Sequence, residues 1–284
     1  MNPEQYCFQK TQSSKSSFAL GFLFLTKQKK TALTALYAFC REVDDIADEC
    51  KEYEIGKSKL DWWRLEIDRL FEKNPQHPVS KALLPHLTTY DLSKEYFIEI
   101  IDGMEMDLNF NRYENFKQLQ LYCYRAASVV GLLSARIFGF TNKDTLKYAH
   151  DLGIALQLTN IIRDLGEDAR RGRIYVPLDL LNEFKLTEDD ILSCKKNRKL
   201  ALLVKYLGDR ANSFYQSAMS RLPKEDKRRQ IPGLIMGNIY YALLAEVVSN
   251  QPDNILNIKT LLPPVRKIII AISTFVGKSW VKNP

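Results

Sequence analysis

Asp44 and Asp48 stand four residues apart in "ALYAFCREVDDIADE" (35–49), and Asp164 and Asp168 repeat the spacing in "QLTNIIRDLGEDARRGRIYVP" (157–177). On a helix, residues four apart share a face. Gln157 and Asn160 extend the second face, and Arg163, Arg170, Arg171 and Arg173 lie close by. The first face runs back through Arg41 and Tyr37 to Leu33, with Asp45 and Glu49 in a neighbouring row. Either pair alone would ordinarily be a solvated helix face. Two features oppose that here. Like charges at this spacing destabilise a helix by about 0.2–0.5 kcal/mol per pair. The flanks, Ala35 to Phe39 and Ile154 to Ile162, are apolar enough to be buried.

Four carboxylates brought together in a low dielectric repel one another unless a cation sits among them. Magnesium, with manganese as the alternative, takes oxygen ligands and is commonly shared between a few carboxylates and substrate phosphates. Asn160 and Gln157 add neutral polar groups, and guanidinium groups match the remaining oxygens of a diphosphate. The stripe therefore reads as half of a metal–diphosphate clamp. Such a clamp draws electrons into a diphosphate leaving group and turns an allylic ester into a carbocation. The cation survives only where water is excluded, and aromatic faces stabilise it without reacting. Phe18, Phe22, Tyr37, Tyr124 and Tyr240 are candidate lining groups, each also fit for ordinary core packing.

The elements that must position these residues are helices. Apolar residues recur at three- and four-residue steps over 197–222, and similar patterns occupy about 31–50, 57–73, 93–108, 115–138, 142–169 and 227–248. Pro, Gly or Asn mark the breaks at 73–78, 172–177, 249–254 and 261–264. No alternating strand, internal repeat or long linker interrupts the pattern. It predicts one all-α domain over residues 1–284.

Bulk properties remove other classes. The 284 residues are 45% hydrophobic and 26% charged, the balance of a folded chain. A net charge of +7 points to an anionic partner. Nucleic acid is not expected, because the basic residues are dispersed and no binding motif accompanies them. Five cysteines form no CxxC pair, and His77, His86 and His150 have no metal-ligand spacing. No GxSxG or GxGxxG turn occurs, and "GKS" at 277–279 lacks the upstream glycine of a phosphate loop. The N-terminus has no signal-peptide layout, and the apolar runs 18–25 and 268–277 are too short to span a bilayer. A cytoplasmic protein is expected, with peripheral contact at the inner face of the cytoplasmic membrane as an option.

"DDIAD" and "DLGED", with "QLTNIIRD" leading into the second, resemble the paired motifs of the squalene/phytoene synthase family. The resemblance covers nearly the whole chain. More narrowly, "TALYAFCREVDDIADE", "IDGMEMDL", "VVGLLSARIFG", "LTNIIRDLGEDARRGRIYVPLDLL" and "GLIMGNIYYALL" resemble the bacterial presqualene diphosphate synthases of hopanoid biosynthesis.

The resemblance implies a single-domain α-helical isoprenoid synthase fold with a central apolar cavity. It implies that two farnesyl diphosphates condense head to head to presqualene diphosphate, which downstream enzymes would process. It implies a magnesium cluster on Asp44, Asp48, Asn160, Asp164 and Asp168. Arg41, Arg163, Arg173 and Tyr240 would lie near diphosphate, Gln157 in the polar network, and Tyr124 near the reacting centre. Ser17, Phe18 and Phe22 match the family's N-terminal flap, although Thr26 stands where proline is common.

Family members that continue to squalene, dehydrosqualene or phytoene remain the alternative, and NADPH is not expected to be required. Head-to-tail prenyltransferases and terpene cyclases share the pattern of Asp44, Asp45 and Asp48 but not the second motif's context. Asp102, Glu105 and Asp107 form a third acidic group, expected to be structural. The segment "PPVRKIIIAISTFVGKSWVK" is expected to pack on the body, with a bilayer surface as its alternative partner.

Overall fold

A computed structural model describes residues 1–13, 21, 25–50, 52–109, 112–250 and 252–278. Among the described residues the regular structure is helical throughout, as the periodicity predicts. A short α1 (Pro3–Ser13) precedes α2 (Lys27–Glu49), α3 (Tyr53–Phe71), α4 (Pro78–Leu87) and α5 (Lys94–Asn109). Next comes one helical run in three parts: α6 (Phe116–Cys123), a π-turn (Tyr124–Ser128) and α7 (Val129–Phe138). The long α8 (Asp144–Arg170) leads to two short helices, α9 (Leu178–Glu183) and α10 (Glu188–Leu192). The order closes with α11 (Arg198–Arg221), α12 (Ile231–Ser249) and α13 (Pro264–Phe275).

The buried apolar residues form two clusters. Leu33, Leu36 and Phe39 of α2 pack with Leu60 and Ile67 of α3, Leu83 of α4 and Phe97 and Ile101 of α5. Ile154, Leu158 and Ile162 of α8 pack with Leu200, Leu203 and Leu207 of α11 and Ile235 and Ile239 of α12. Tyr124 and Ala126 of the π-turn, together with Tyr96, touch both clusters. The first acidic pair therefore rides on one cluster and the second on the other, with the π-turn at the seam.

Close backbone approach explains the π-turn's setting. A Cβ on Gly153 of α8 would lie 2.4 Å from the Ser128 Cα, and one on Gly103 of α5 would lie 2.9 Å from the Arg125 Cβ. The wide turn fits between these two helices only because both present glycine there.

Helix α12 is apolar all round, and by length and composition it is the one described helix that could cross a membrane. Its buried residues, among them Ile235, Ile239, Leu243 and Val247, nevertheless pack in the α8–α11 cluster, the pattern of a core helix.

Candidate active site

Both acidic pairs stand in the last turns of their helices, Asp44 and Asp48 on α2 and Asp164 and Asp168 on α8. Asp48 and Asp168 fall in the very last turn, where the helix dipole is negative and a carboxylate costs about 0.3–1 kcal/mol relative to an ordinary position. A fold gains nothing from this arrangement without cations. Asp44, Asp164 and Asp168 line one cavity of about 730 Å³ with Tyr37, Arg41, Gln157, Asn160, Arg163 and Tyr240. That volume is of the size that small-molecule ligands occupy.

Protein cations occupy the carboxylates. Arg41 reaches Asp44 and also Asp45, its neighbour in the outer row. Arg163 chelates Asp164 with its Nε and Nη2, and Lys259 reaches the same carboxylate at 3.2 Å. Arg171 and Arg173 each lie 3.2 Å from Asp48. Arg173 also donates to the Ala47 carbonyl at 2.7 Å, satisfying an acceptor left open at the end of α2.

Arg173 is delivered there by a Schellman cap on α8. Gly172 has φ +76°, the Arg173 N–H donates to the Asp168 carbonyl at 2.9 Å, and the Gly172 N–H donates to the Ala169 carbonyl at 2.9 Å. The "RGR" turn thus ties the end of the second acidic helix to the end of the first.

The electrostatics are unequal across the site. Burial pushes the Asp168 carboxyl up to about 7, and the Asp164 charge adds to the rise. Burial likewise raises Asp44 to about 6, against the pull of Arg41 and with Asp48 adding to the rise. For Asp164 burial also opposes ionisation, but Arg163 and Lys259 outweigh it and hold the carboxyl below its usual range. Two of the carboxylates are therefore under-compensated by protein cations alone.

A divalent ion fits this donor set in one particular way. The Asn160 Oδ1 is buried and has no hydrogen-bond partner, an acceptor awaiting a cation or donor. Among the described residues no group of three or more His, Cys, Asp or Glu is close enough to hold a metal by itself. The residues fit magnesium shared with substrate phosphate oxygens rather than an all-protein cage.

The structure divides the remaining predicted residues. Ser17, Phe18 and Phe22 lie outside the described residues. Asp48 and Arg173 brace the rim and are not among the lining residues. Tyr124 is away from the cavity wall, its ring 5.8 Å from that of His150. In this stretch of the chain the phenol facing the cavity is Tyr122. The period of the helix contained this signal, because Tyr122, Ala126, Val130, Ser134 and Phe138 form a four-residue ladder along the wall.

Sequence reasoning also passed over what Asp107 holds. It is buried and accepts from Tyr122 at 2.8 Å and Tyr175 at 2.7 Å, both cavity-lining phenols, whose rings stack 5.1 Å apart. Asp102 and Glu105 instead bind Arg64 on the outer side of α5, the structural role expected of them. Lys259 and Lys267 come to the cavity from the C-terminal segment, and no local pattern marks them.

Comparison with known proteins agrees with this geometry. The family model for squalene/phytoene synthase matches residues 11–266. The chain is 35% identical to a phytoene synthase of Arthrospira platensis over 93% of its own length and 90% of that protein's. It is 32% identical to a 15-cis-phytoene synthase of Synechocystis over 98% of its length and 84% of the relative's.

Among solved structures, squalene synthase HpnC from Alicyclobacillus acidocaldarius superposes with a TM-score of 0.79 at 26% identity, covering 88% of this chain and 94% of that one. A dehydrosqualene synthase in complex with ligand gives a TM-score of 0.83, also at 26% identity, over 95% and 94% of the two chains. The segment matched by the family model contains both acidic pairs, the arginines that bridge them and the cavity-lining residues other than Lys267. The chain therefore belongs to the squalene/phytoene synthase family, enzymes of prenyltransferase type on the all-α isoprenoid synthase fold.

Proposed function

We propose that the protein joins two prenyl diphosphates head to head, and that phytoene is the product the relatives favour. The observation that carries the reaction class is the cavity itself. Carboxylates from two helices, guanidinium groups and an unpartnered Asn160 oxygen line one end of an otherwise apolar chamber.

In the first step the donor's C1–O bond breaks and diphosphate departs with the electron pair. The donor C1 then bonds to the C2–C3 double bond of the acceptor, and loss of a proton closes a cyclopropane on a chain that keeps its own diphosphate. The released diphosphate is a ready proton acceptor. Arg41, Arg163 and Lys259 can turn from carboxylate to diphosphate oxygens. Leu33, Met104, Leu152 and Leu156 exclude water along the chamber. A magnesium ion held by Asp44, Asp48, Asn160, Asp164 and Asp168 would, when bound, offset the charge of the leaving diphosphate.

Sequence motifs put farnesyl diphosphate and presqualene diphosphate first. The phytoene synthase names of the full-length relatives move the weight to geranylgeranyl diphosphate and to onward conversion without a nicotinamide reductant. The likeness to HpnC and to the dehydrosqualene synthase keeps the farnesyl route as the second reading.

The deciding experiment incubates the protein and magnesium with each prenyl diphosphate, with and without NADPH, and identifies products by mass spectrometry before and after phosphatase. Phytoene from geranylgeranyl diphosphate alone supports the first reading. Presqualene alcohol released by phosphatase from farnesyl reactions, unchanged by NADPH, supports the second. Absence of coupling and of diphosphate binding with both substrates would overturn the enzyme assignment.

A further inference from the structure

Asp107 takes part in no step of the proposed reaction, yet it is buried behind two phenols that line the cavity. Its Oδ2 accepts from the Tyr122 hydroxyl at 2.8 Å and its Oδ1 from the Tyr175 hydroxyl at 2.7 Å. Burial raises the carboxyl to about 6, with Tyr175, Arg173 and Tyr122 pulling the other way. Above neutral pH it is therefore ionised, an acceptor with no proton to give.

An acceptor-only group fixes the direction of every hydrogen bond in a chain that ends on it. Tyr122 gives its one proton to Asp107, so toward Gln157 its oxygen can only accept, and the Gln157 Nε2 donates to it at 3.5 Å. With that nitrogen turned to Tyr122, Gln157 offers its Oε1 to Asn160, whose Nδ2 donates to it at 3.4 Å. The Asn160 Oδ1 is then the end of the amide left outside the chain, and it is the buried atom without a partner. Either amide alone could be turned over, because the two ends of a carboxamide fill nearly the same space. Both amide links are long, so they contribute direction more than stability. Tyr175 binds the same carboxylate at a like distance but stands outside the path to Gln157.

We propose that Asp107 is a positioning residue for the metal site, setting through Tyr122 and Gln157 which end of the Asn160 amide meets the cavity. With the anion at the end of the chain the cavity meets an oxygen, a ligand for a hard cation; with the chain reversed it meets an amide nitrogen whose protons repel one. This rests on the reading of the cavity as a metal–diphosphate site.

The probe is Mn2+ with inorganic pyrophosphate, titrated into the protein above neutral pH and followed by the EPR signal of free Mn2+, with no turnover involved. Wild type is expected to bind the pair. Tyr122→Phe keeps the Asp107 charge but cuts the path, and it is expected to weaken Mn2+ affinity about tenfold, the low end for a lost outer-shell partner. Tyr175→Phe removes a bond of like length from the same carboxylate and is expected to leave the affinity unchanged. Asp107→Asn is expected to lose at least as much as Tyr122→Phe, and combining the two to cost nothing beyond Asp107→Asn, since the path is already cut. Equal losses for the two tyrosine variants would mean that Asp107 only braces the wall, and would overturn the proposal. Unchanged affinity in Tyr122→Phe, or additive losses in the double variant, would overturn it too. The two tyrosine variants decide the matter if Asp107→Asn does not fold. Failure of the wild type to bind Mn2+ and pyrophosphate would overturn the metal–diphosphate reading and this proposal with it, whereas binding indifferent to Tyr122 overturns this proposal alone.

Discussion

Asn160 separates what the site does for the fold from what it does for chemistry. Its side-chain oxygen is buried without a partner, and its Nδ2 donates only a long bond, 3.4 Å, to Gln157. An unsatisfied buried acceptor is a cost to folding, so an apolar replacement of similar shape should be neutral or stabilising. The same oxygen is a candidate metal ligand, and since losing even an outer-shell partner weakens a metal site by about 10–100-fold, losing a ligand costs at least as much. Asn160→Leu is therefore expected to hold or raise the melting temperature while lowering kcat/KM by about that factor. Calorimetry and steady-state turnover on one preparation check both signs. Asp226 shows the opposite logic. It is buried in the α11–α12 connection and accepts from the Thr141 and Asn142 N–H groups and from the Thr141 and Thr145 hydroxyls. Burial opposes its charge, but these donors outweigh burial and hold the carboxyl down at about 2. Because the folded value lies below the ordinary one, its contribution is complete above the ordinary carboxylate range and disappears as pH falls toward about 2. Asp226→Asn is expected to cost about 1–3 kcal/mol at neutral pH. In urea titrations the gap to wild type should narrow as pH drops from about 4 toward 2.

At the scale of elements, the contact of α8 with the π-turn limits how the acidic helices meet. A methyl on Gly153 would strike the Ser128 backbone at 2.4 Å, so the two segments would have to separate. Alanine gains about 1 kcal/mol over glycine in helix propensity, whereas forced overpacking costs about 1–3 kcal/mol and sometimes more. The clash involves backbone rather than a flexible side chain, so it wins. Gly153→Ala is expected to destabilise the protein and to reduce turnover disproportionately, since the shift moves α8 relative to the cavity wall; chemical denaturation and kinetics test this together. These elements were legible in the sequence to different degrees. The long helices α2, α3, α5, α8, α11 and α12 follow from apolar periodicity, and α3, α8 and α12 end at the predicted breaks near 73–78, 172–177 and 249–254. Helix α4 did not announce itself, because Pro78 and Pro85 break the local pattern that tertiary packing then overrides. The π-turn was invisible for a different reason. A wide turn leaves the apolar ladder of α6 and α7 intact, and its cause lies in Gly103 and Gly153, which are distant in sequence. Tyr124 entered through the family resemblance, and the ladder that lines the cavity runs instead through Tyr122, Ala126 and Val130. Lys259 and Lys267 reach the cavity through chain path alone, and one-dimensional spacing carries no trace of that.

For the molecule as a whole, the direction of α8 sets the length of the chamber. Asp164 and Asp168 line one end, where the proposed function places diphosphate, while Leu152, Ala149 and Tyr148 line it toward the N-terminus of the same helix. From Asp164 back to Tyr148 the helix spans about 24 Å. Gly131, Ser134 and Phe138 of α7 face this distal part, with Pro232 and Gly233 of α12. On the proposed function a prenyl chain anchored at the carboxylates would run along this wall, and the space around Ala149 would decide how many isoprene units fit. Ala149 is 4% exposed and is the smallest side chain that α8 contributes there besides Gly153. Filling the position shortens the chamber without touching the metal and diphosphate groups. Ala149→Phe is expected to lower kcat/KM for geranylgeranyl diphosphate at least about tenfold more than for farnesyl diphosphate, the scale of discrimination set by apolar fit. Competition assays with both substrates in one tube measure the ratio directly. An equal loss for the two would mean that the chains do not extend past Leu152, and the chamber's far end would have no part in choosing the product.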